Sequence, residues 1–416
     1  MTQIHKRFTT EQIQLLFKQY QTGDMTRLEI QEILDIGKTR FFRLFGDYKK
    51  LAEEFQINYQ RKSKPRISPD IEKRIILELQ REKELIDDPR IPITSYNYTA
   101  MRDRLQKQNI QVSVPTIIDR ARQINCYIPQ RKHKTHTREV LTTAIGALIQ
   151  HDSSIHLWSP YASEKWTLIT SIDDYSRMLL FADLFPVETT WEHIQAAQSL
   201  MLTYGLPLQY YVDNLRVFRF VQGRDSVWRK NVLETDDVIT QWRQVLAALK
   251  VDVSYALSPQ AKGKVERPYR WLQDRVVRTC AMERLSSLED VRGVLHDEVE
   301  RYNNHQVHST TGEIPRIRFD QAKWKGNSLF RPFSVPKPYS STEDVFCLRT
   351  SRMVDGYRRI SLFSESIEVP NVPLREYVEI HMIPDPSKNV VKIRIWHHQK
   401  LVKRLNIPFP KKWVHF

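Results

Sequence analysis

Apolar residues along the chain change their spacing twice, and the changes divide it into three kinds of segment. Up to residue 130 they recur every three or four positions, the period of a helix with one buried face. Ile13, Leu15, Leu16 and Phe17 follow Thr10, a suitable helix cap, and Leu28, Ile30, Ile33 and Leu34 follow Asp24 and Thr26. Asp35-Ile36-Gly37 reads as a tight turn, and Lys38-Thr39-Arg40-Phe41-Phe42-Arg43-Leu44-Phe45 as a third helix. Ile71, Ile75, Ile76 and Leu79 predict an amphipathic helix over 69–85. Tyr98 to Leu105 predicts another. After Asn109-Ile110-Gln111-Val112 a further helix opens at Ser113-Val114-Pro115, with Ser113 as cap and Pro115 in the first turn.

The middle of the chain alternates strand-like and helical runs. Residues 147–153, 166–172 and 178–185 predict three consecutive strands with short connections. A helix over 190–204 ends at Gly205-Leu206-Pro207. A short strand over 208–212, a helix over 238–249, a strand over 252–256 and a helix over 266–280 follow. From Pro338 the pattern changes to short alternating runs around Cys347, Ile360, Val378, Ile393 and Val402, separated by turns of Pro, Asp, Ser and Asn. Such runs predict a small β-barrel.

Charge follows the same division. The 416 residues carry a net +15. Residues 1–137 hold 26 Lys and Arg against 17 Asp and Glu, residues 138–325 hold 23 against 24, and residues 326–416 hold 15 against 8. Basic ends around a near-neutral centre suit two nucleic-acid-binding flanks. Each pair of amino-terminal helices joined by a short turn has the helix-turn-helix pattern. In the first, Lys38, Thr39, Arg40 and Arg43 stand on the helix that would enter the major groove; in the second, Thr116, Arg120 and Arg122 do. Arg61 to Arg66 is a basic linker containing Pro65. In 131–138, Arg131, Lys132 and Lys134 stand among histidines with no apolar side chain, as in a linker that reaches phosphates. Cys126, Cys280 and Cys347 lie too far apart for a zinc motif or a disulfide framework. No apolar run approaches a membrane span, and no apolar stretch follows the basic start to make a secretory signal, so a cytoplasmic location is expected.

Candidate chemistry rests on three carboxylates. Asp152 closes the run Ala147-Leu148-Ile149-Gln150-His151-Asp152, and Asp213 closes Tyr210-Tyr211-Val212-Asp213. Glu266 opens a basic helix after Lys262-Gly263-Lys264-Val265. Acids at strand ends and on a facing helix offer the oxygen donors that hard divalent cations need. Lys262, Lys264, Arg267 and Arg270 would lay a phosphate backbone beside Glu266. Any one of these acids alone reads more simply as a turn residue, a cap or a helix-dipole partner.

Five motifs in order carry a resemblance. They are Asp152 on a first strand; Ile172-Asp173-Asp174-Tyr175-Ser176-Arg177; Val212-Asp213-Asn214; Lys262 to Arg267; and Tyr302-Asn303-Asn304 with His308-Ser309-Thr310-Thr311-Gly312-Glu313-Ile314-Pro315. Residues 140–325 thereby resemble the retroviral-type integrase core and the DDE transposases of bacterial insertion sequences. The gap from Asp213 to Glu266 is longer than is usual in that family, with extra chain around 224–237. The retroviral zinc-binding amino-terminal domain has no counterpart.

The resemblance implies helix-turn-helix domains over 1–60 and 66–130, a basic linker over 131–139, an RNase H-like integrase core with a mixed five-stranded sheet over 140–325, and a β-barrel over 338–416 that touches DNA. It implies Asp152 and Asp213 on adjacent central strands. It further implies that Asp152, Asp213 and Glu266 hold two Mg²⁺ or Mn²⁺ ions for cleavage at insertion-sequence ends and strand transfer into target DNA. It assigns Asp173 and Asp174 to a turn. The expected partners are duplex DNA, namely terminal inverted repeats and target, and further copies of the chain on that DNA; no membrane is expected. Two other readings of the same pattern are a transposase-derived DNA-binding regulator without catalysis and a nuclease of RNA–DNA hybrids.

Overall fold

The computed structural model describes residues 4–50, 55, 57, 67–129, 142–213, 215, 217, 218, 239–256 and 266–409, with only the backbone at 266 and 267. Three helices come first: α1 (Thr10–Thr22), α2 (Arg27–Leu34) and α3 (Lys38–Lys50). Thr9 and Thr26 cap the first two through reciprocal bonds with Gln12 and Glu29, and Asp35 takes a left-handed conformation to turn the chain into α3. Phe17, Phe41, Phe45 and Tyr48 fill their core. Helices α4 (Pro69–Asp87), α5 (Tyr98–Lys107) and α6 (Val114–Gln123) form a second cluster around Ile75, Leu79, Met101, Leu105 and Ile117. Ser113 caps α6 as its position before Pro115 predicts.

The central sheet contains β1 (Ile149–His156), β2 (Trp166–Asp173), β3 (Leu179–Phe185), β4 (Gln209–Val212) and β5 (Asp252–Tyr255) in the order β3-β2-β1-β4-β5. The first three are antiparallel, while β4 lies parallel to β1 and β5 parallel to β4. Helices α7 (Thr190–Tyr204) and α8 (Gln241–Ala248) cover one face, where Ile149, Ile194, Tyr210, Val212 and Trp242 share a core. Helices α9 (Glu266–Glu283) and α10 (Leu288–His305) cover the other, where Leu168, Ile172, Tyr269, Leu272 and Val276 pack. A mixed five-stranded sheet with helices on both faces fits the expected RNase H-like architecture.

Two differences from the sequence reading stand out. Asp152 does not end its strand: β1 runs on to His156 because β2 pairs with it along its whole length. The carboxy-terminal strands do not close into a barrel. After α11 (Pro315–Trp324) and the short α12 (Thr342–Val345), strands β6 (Leu348–Met353), β9 (Tyr377–Asp385), β10 (Val390–His397) and β11 (Lys400–Pro408) form an open sheet, ordered β11-β10-β9-β6. Strands β7 (Arg359–Leu362) and β8 (Glu365–Glu368) pair only with each other. The apolar face of this sheet needs no closure of its own. Val378, Ile380, Met382, Val391 and Ile393 share one continuous core with Ile360, Leu362 and Ile367 of β7 and β8 and with apolar residues of α7 and α8. Gln241 on α8 clasps Arg349 of β6 by two hydrogen bonds of 2.6 Å, one to its carbonyl and one from its N–H.

Candidate active site

The sheet brings two of the three expected acids together by register. In β1 and β4 the last recorded partners are Gln150 and Tyr211. Two residues further along both chains stand Asp152, still on β1, and Asp213, one residue past the end of β4. Both are half-buried. The N–H of Leu215 donates to Asp213 Oδ1 at 2.9 Å, so a local turn fixes this carboxylate just beyond its strand.

The third acid approaches from α9. Asp152 pairs across the antiparallel ladder with Thr170, whose hydroxyl donates to the Tyr269 phenol oxygen at 2.8 Å. Directly opposed residues share a sheet face, so Asp152 faces α9. Tyr269 lies one helical turn after Glu266, and the first turn of α9 therefore sits over the Asp152–Thr170 pair. Burial raises the Tyr269 phenol well above its usual value, and the negative charges of Asp152, Glu188 and Asp213 push the same way. The donor set is all hard oxygen, which fits a divalent cation of the magnesium kind.

The competing acids are occupied as structural groups. Asp173 accepts from the Gly146 N–H, the Ser176 N–H and the Ser176 hydroxyl at 2.8, 2.8 and 2.6 Å. Burial nonetheless pushes its carboxyl up to about 6. Asp174 accepts from Thr142 at 2.9 Å and pairs with Arg177 at 2.9 Å. The segment 308–315 also acts as a brace. Arg318 pairs with Glu313 at 2.7 Å and donates to the Tyr175 carbonyl at 2.8 Å, while Gln12 of α1 donates to Glu313 at 2.8 Å. Asn303 completes the edge of β3 with two bonds of 2.9 Å to the Leu179 backbone.

The expected DNA-contacting residues are distributed unevenly. Lys38, Thr39 and Arg43 stand exposed on α3, and Arg40 is half-buried. Thr116 is half-buried on α6. Arg120 turns back to Glu72 of α4 at 2.7 Å, and Arg122 lies over the Tyr127 ring at 4.7 Å. Arg120 is thus paired within its own bundle. Arg270 is exposed on α9. Arg131, Lys132, Lys134, Lys262 and Lys264 lie outside the described residues, as do the side chains of Glu266 and Arg267.

The sequence reading missed what covers the remaining face of α9. Arg275 and Arg278 are buried there under the second helical cluster. Arg278 pairs with Glu82 of α4, with Asp274 at 2.6 Å and with the Ser95 carbonyl at 3.0 Å. Arg275 pairs with Asp103 of α5 at 2.7 Å and with Glu298 of α10 at 3.3 Å. Leu85, Ile91 and Ile93 pack on Val277 and Ala281 beside these pairs. Asp274 also accepts from Asn97 of the second cluster.

The mixed five-stranded sheet with helices on both faces fits an RNase H-like core. In sequence the chain is similar to proteins named as transposases. It is 26% identical over 270 residues to y4bF of Sinorhizobium fredii, a protein named as a transposase, with 64% of this chain and 54% of that protein covered. It is 27% identical over 175 residues to the transposase for insertion sequence IS1202 of Streptococcus pneumoniae, covering 42% of this chain and 35% of that protein. The chain spans about half the length of the first of these relatives and about a third of the second. No family model matches the chain. Among solved structures it is similar to the HTLV-2 integrase catalytic core domain in complex with magnesium, at 16% identity and a TM-score of 0.30 over 41% of this chain and 94% of that one. It is also similar to a chain of the simian T-cell lymphotropic virus intasome in complex with a PP2A regulatory subunit, at 12% identity and a TM-score of 0.34 over 74% and 92%.

Proposed function

We propose that the chain is a DNA transposase of a bacterial insertion sequence, cleaving the element's ends and joining them to target DNA. The observation that carries this reading is the β1–β4 register, which sets Asp152 beside Asp213 under the helix that opens at Glu266. In this reading Asp152, Asp213 and Glu266 hold two Mg²⁺ or Mn²⁺ ions. Those ions, when bound, supply positive charge to the attacking and leaving oxygens of a phosphodiester. The protein's own part is positioning. The Leu215 N–H fixes Asp213, and the Thr170–Tyr269 bond ties the first turn of α9 to the sheet beside Asp152. Water then opens the phosphodiester at the element end, and the freed 3′ hydroxyl attacks target DNA. Positioning of this kind lowers the barrier by holding the reacting groups at attack distance.

Recognition of the inverted repeats falls to the amino-terminal helices, with Lys38, Thr39 and Arg43 on the outer face of α3 as readers. The basic linker and the carboxy-terminal sheet add phosphate contacts, and joining two ends calls for more than one copy of the chain on DNA. Selection by the full chain from a random duplex library should return one shared sequence, and binding to it should weaken steeply with salt. Replacing Arg43 with Ala should relax preference at one or two base pairs, at about 1–3 kcal/mol each. Recovery of duplexes with no shared sequence would overturn the recognition role.

A further inference from the structure

Strand lengths leave a gap at the proposed site. Strand β4 stops at Val212 and β5 at Tyr255, its register partner, while β1 continues to His156. Beyond Asp213, therefore, among the described residues no strand lies beside β1 on its β4 side, while β2 still pairs with it on the other, and the two faces of the sheet meet along the β4-side edge. Crevices of this kind, outside the carboxyl ends of parallel strands, are where α/β sheets bind ligands. Asp152 faces α9 on one side of β1. Ser153, the next residue, faces the opposite side, and its hydroxyl donates to Glu188 Oε1 at 2.6 Å. Glu188 directly precedes Thr189, the cap of α7, so the crossover from β3 carries its carboxylate over β1 to the same edge.

Glu188 is held with more machinery than a loop acid needs. Its side chain is 18% exposed. A carboxylate only accepts, so His193 Nε2, at 3.0 Å, donates to Oε1. His193 Nδ1 lies 2.9 Å from His151 Nε2, and His151 Nδ1 lies 2.8 Å from the Ser171 hydroxyl. Both imidazoles are fully buried, and Trp242 stacks on His151 at 5.7 Å while Phe218 meets His193 edge-on at 4.9 Å. This chain of bonds locks one oxygen of Glu188 from behind. Carboxylates that ligate metals are characteristically oriented by such outer bonds.

We propose that Glu188 is a fourth carboxylate ligand of the divalent-metal site, oriented by Ser153 and by the buried His193–His151 pair. The proposal rests on the reading of Asp152 and Asp213 as metal-binding acids. The influence of Glu188 on the Tyr269 phenol, alongside that of Asp152 and Asp213, agrees with the placement.

The test is Mn²⁺ binding by the full chain, followed by electron paramagnetic resonance without DNA and compared with melting in EDTA. Glu188→Gln keeps an oxygen to accept from His193, and Glu188→Asp keeps the charge but shortens its reach. Folded Glu188→Gln should need at least about tenfold more Mn²⁺ for half-saturation, with its EDTA melting temperature close to that of the unaltered chain. Glu188→Asp should weaken binding in the same direction and serves if the Gln variant does not fold. Asp152→Asn is the control. If Asp152→Asn weakens binding and a folded Glu188 variant does not, the fourth ligand is overturned while the site stands. If neither change affects Mn²⁺ binding, the metal-site reading and this inference fall together.

Discussion

Asp152→Asn and Asp213→Asn should each lower metal-dependent DNA cleavage by about three orders of magnitude or more while leaving DNA binding intact. Each substitution keeps the side chain's size and removes a formal charge that would ligate the ions. Losing several kcal/mol of transition-state stabilisation converts to that rate at about 1.4 kcal/mol per factor of ten. The helices proposed to read DNA lie on other elements, α3 and α6, so a mobility-shift assay should see no change. Glu266→Gln should behave alike, since α9 opens at that residue over the same pair. Cleavage near the unaltered rate in Mg²⁺ for either aspartate variant would remove that residue from the site.

Arg278→Ala should be the most damaging single change to stability, costing about 3–5 kcal/mol. Its guanidinium is buried between Glu82, Asp274 and the Ser95 carbonyl, and truncation would leave the fully buried Glu82 carboxylate facing the hole. Arg104, 2.7 Å from Glu82, would offset part of that loss. Replacing both partners with apolar residues, Glu82→Leu with Arg278→Met, should cost less than the single change, because no lone charge is then stranded. Urea unfolding of the full chain would measure both. A loss under about 1 kcal/mol for Arg278→Ala, the range of an exposed pair, would mean that the contact between α4 and α9 is not a fixed part of the fold.

The difference between these two sites in legibility has a physical cause. The acids Asp152 and Asp213 were readable because each follows an apolar run whose partner strands the order of elements implies. The pattern ends the first strand at Ser153, yet Ser154 to His156 continue β1 through pairing with β2, which local hydrophobicity does not encode. Helix α7 was legible to the residue, because Gly205 and Pro207 stop it and Thr189 starts it. Arg275 and Arg278 carry no signal in the sequence, since their partners Asp103 and Glu82 lie on helices far earlier in the chain. Glu188 is marked by no motif in the sequence; only the fold brings Ser153 and His193 to it. At the carboxy terminus the alternation marked strands correctly. Alternation does not say which strands pair, and the open sheet, covered by α8 and its neighbours, took the place of a barrel.

Strand joining tests the central claim most directly. The full chain would be incubated in Mg²⁺ with a labelled duplex carrying the sequence it selects and an unlabelled target duplex, and the products sequenced. The account predicts a 3′ hydroxyl released at one fixed position and that strand covalently joined to target, with both products absent in EDTA and for Asp152→Asn. Tight, sequence-specific binding with neither cleaved nor joined strand, in Mg²⁺ or in Mn²⁺, would contradict it and leave a DNA-binding regulator in its place.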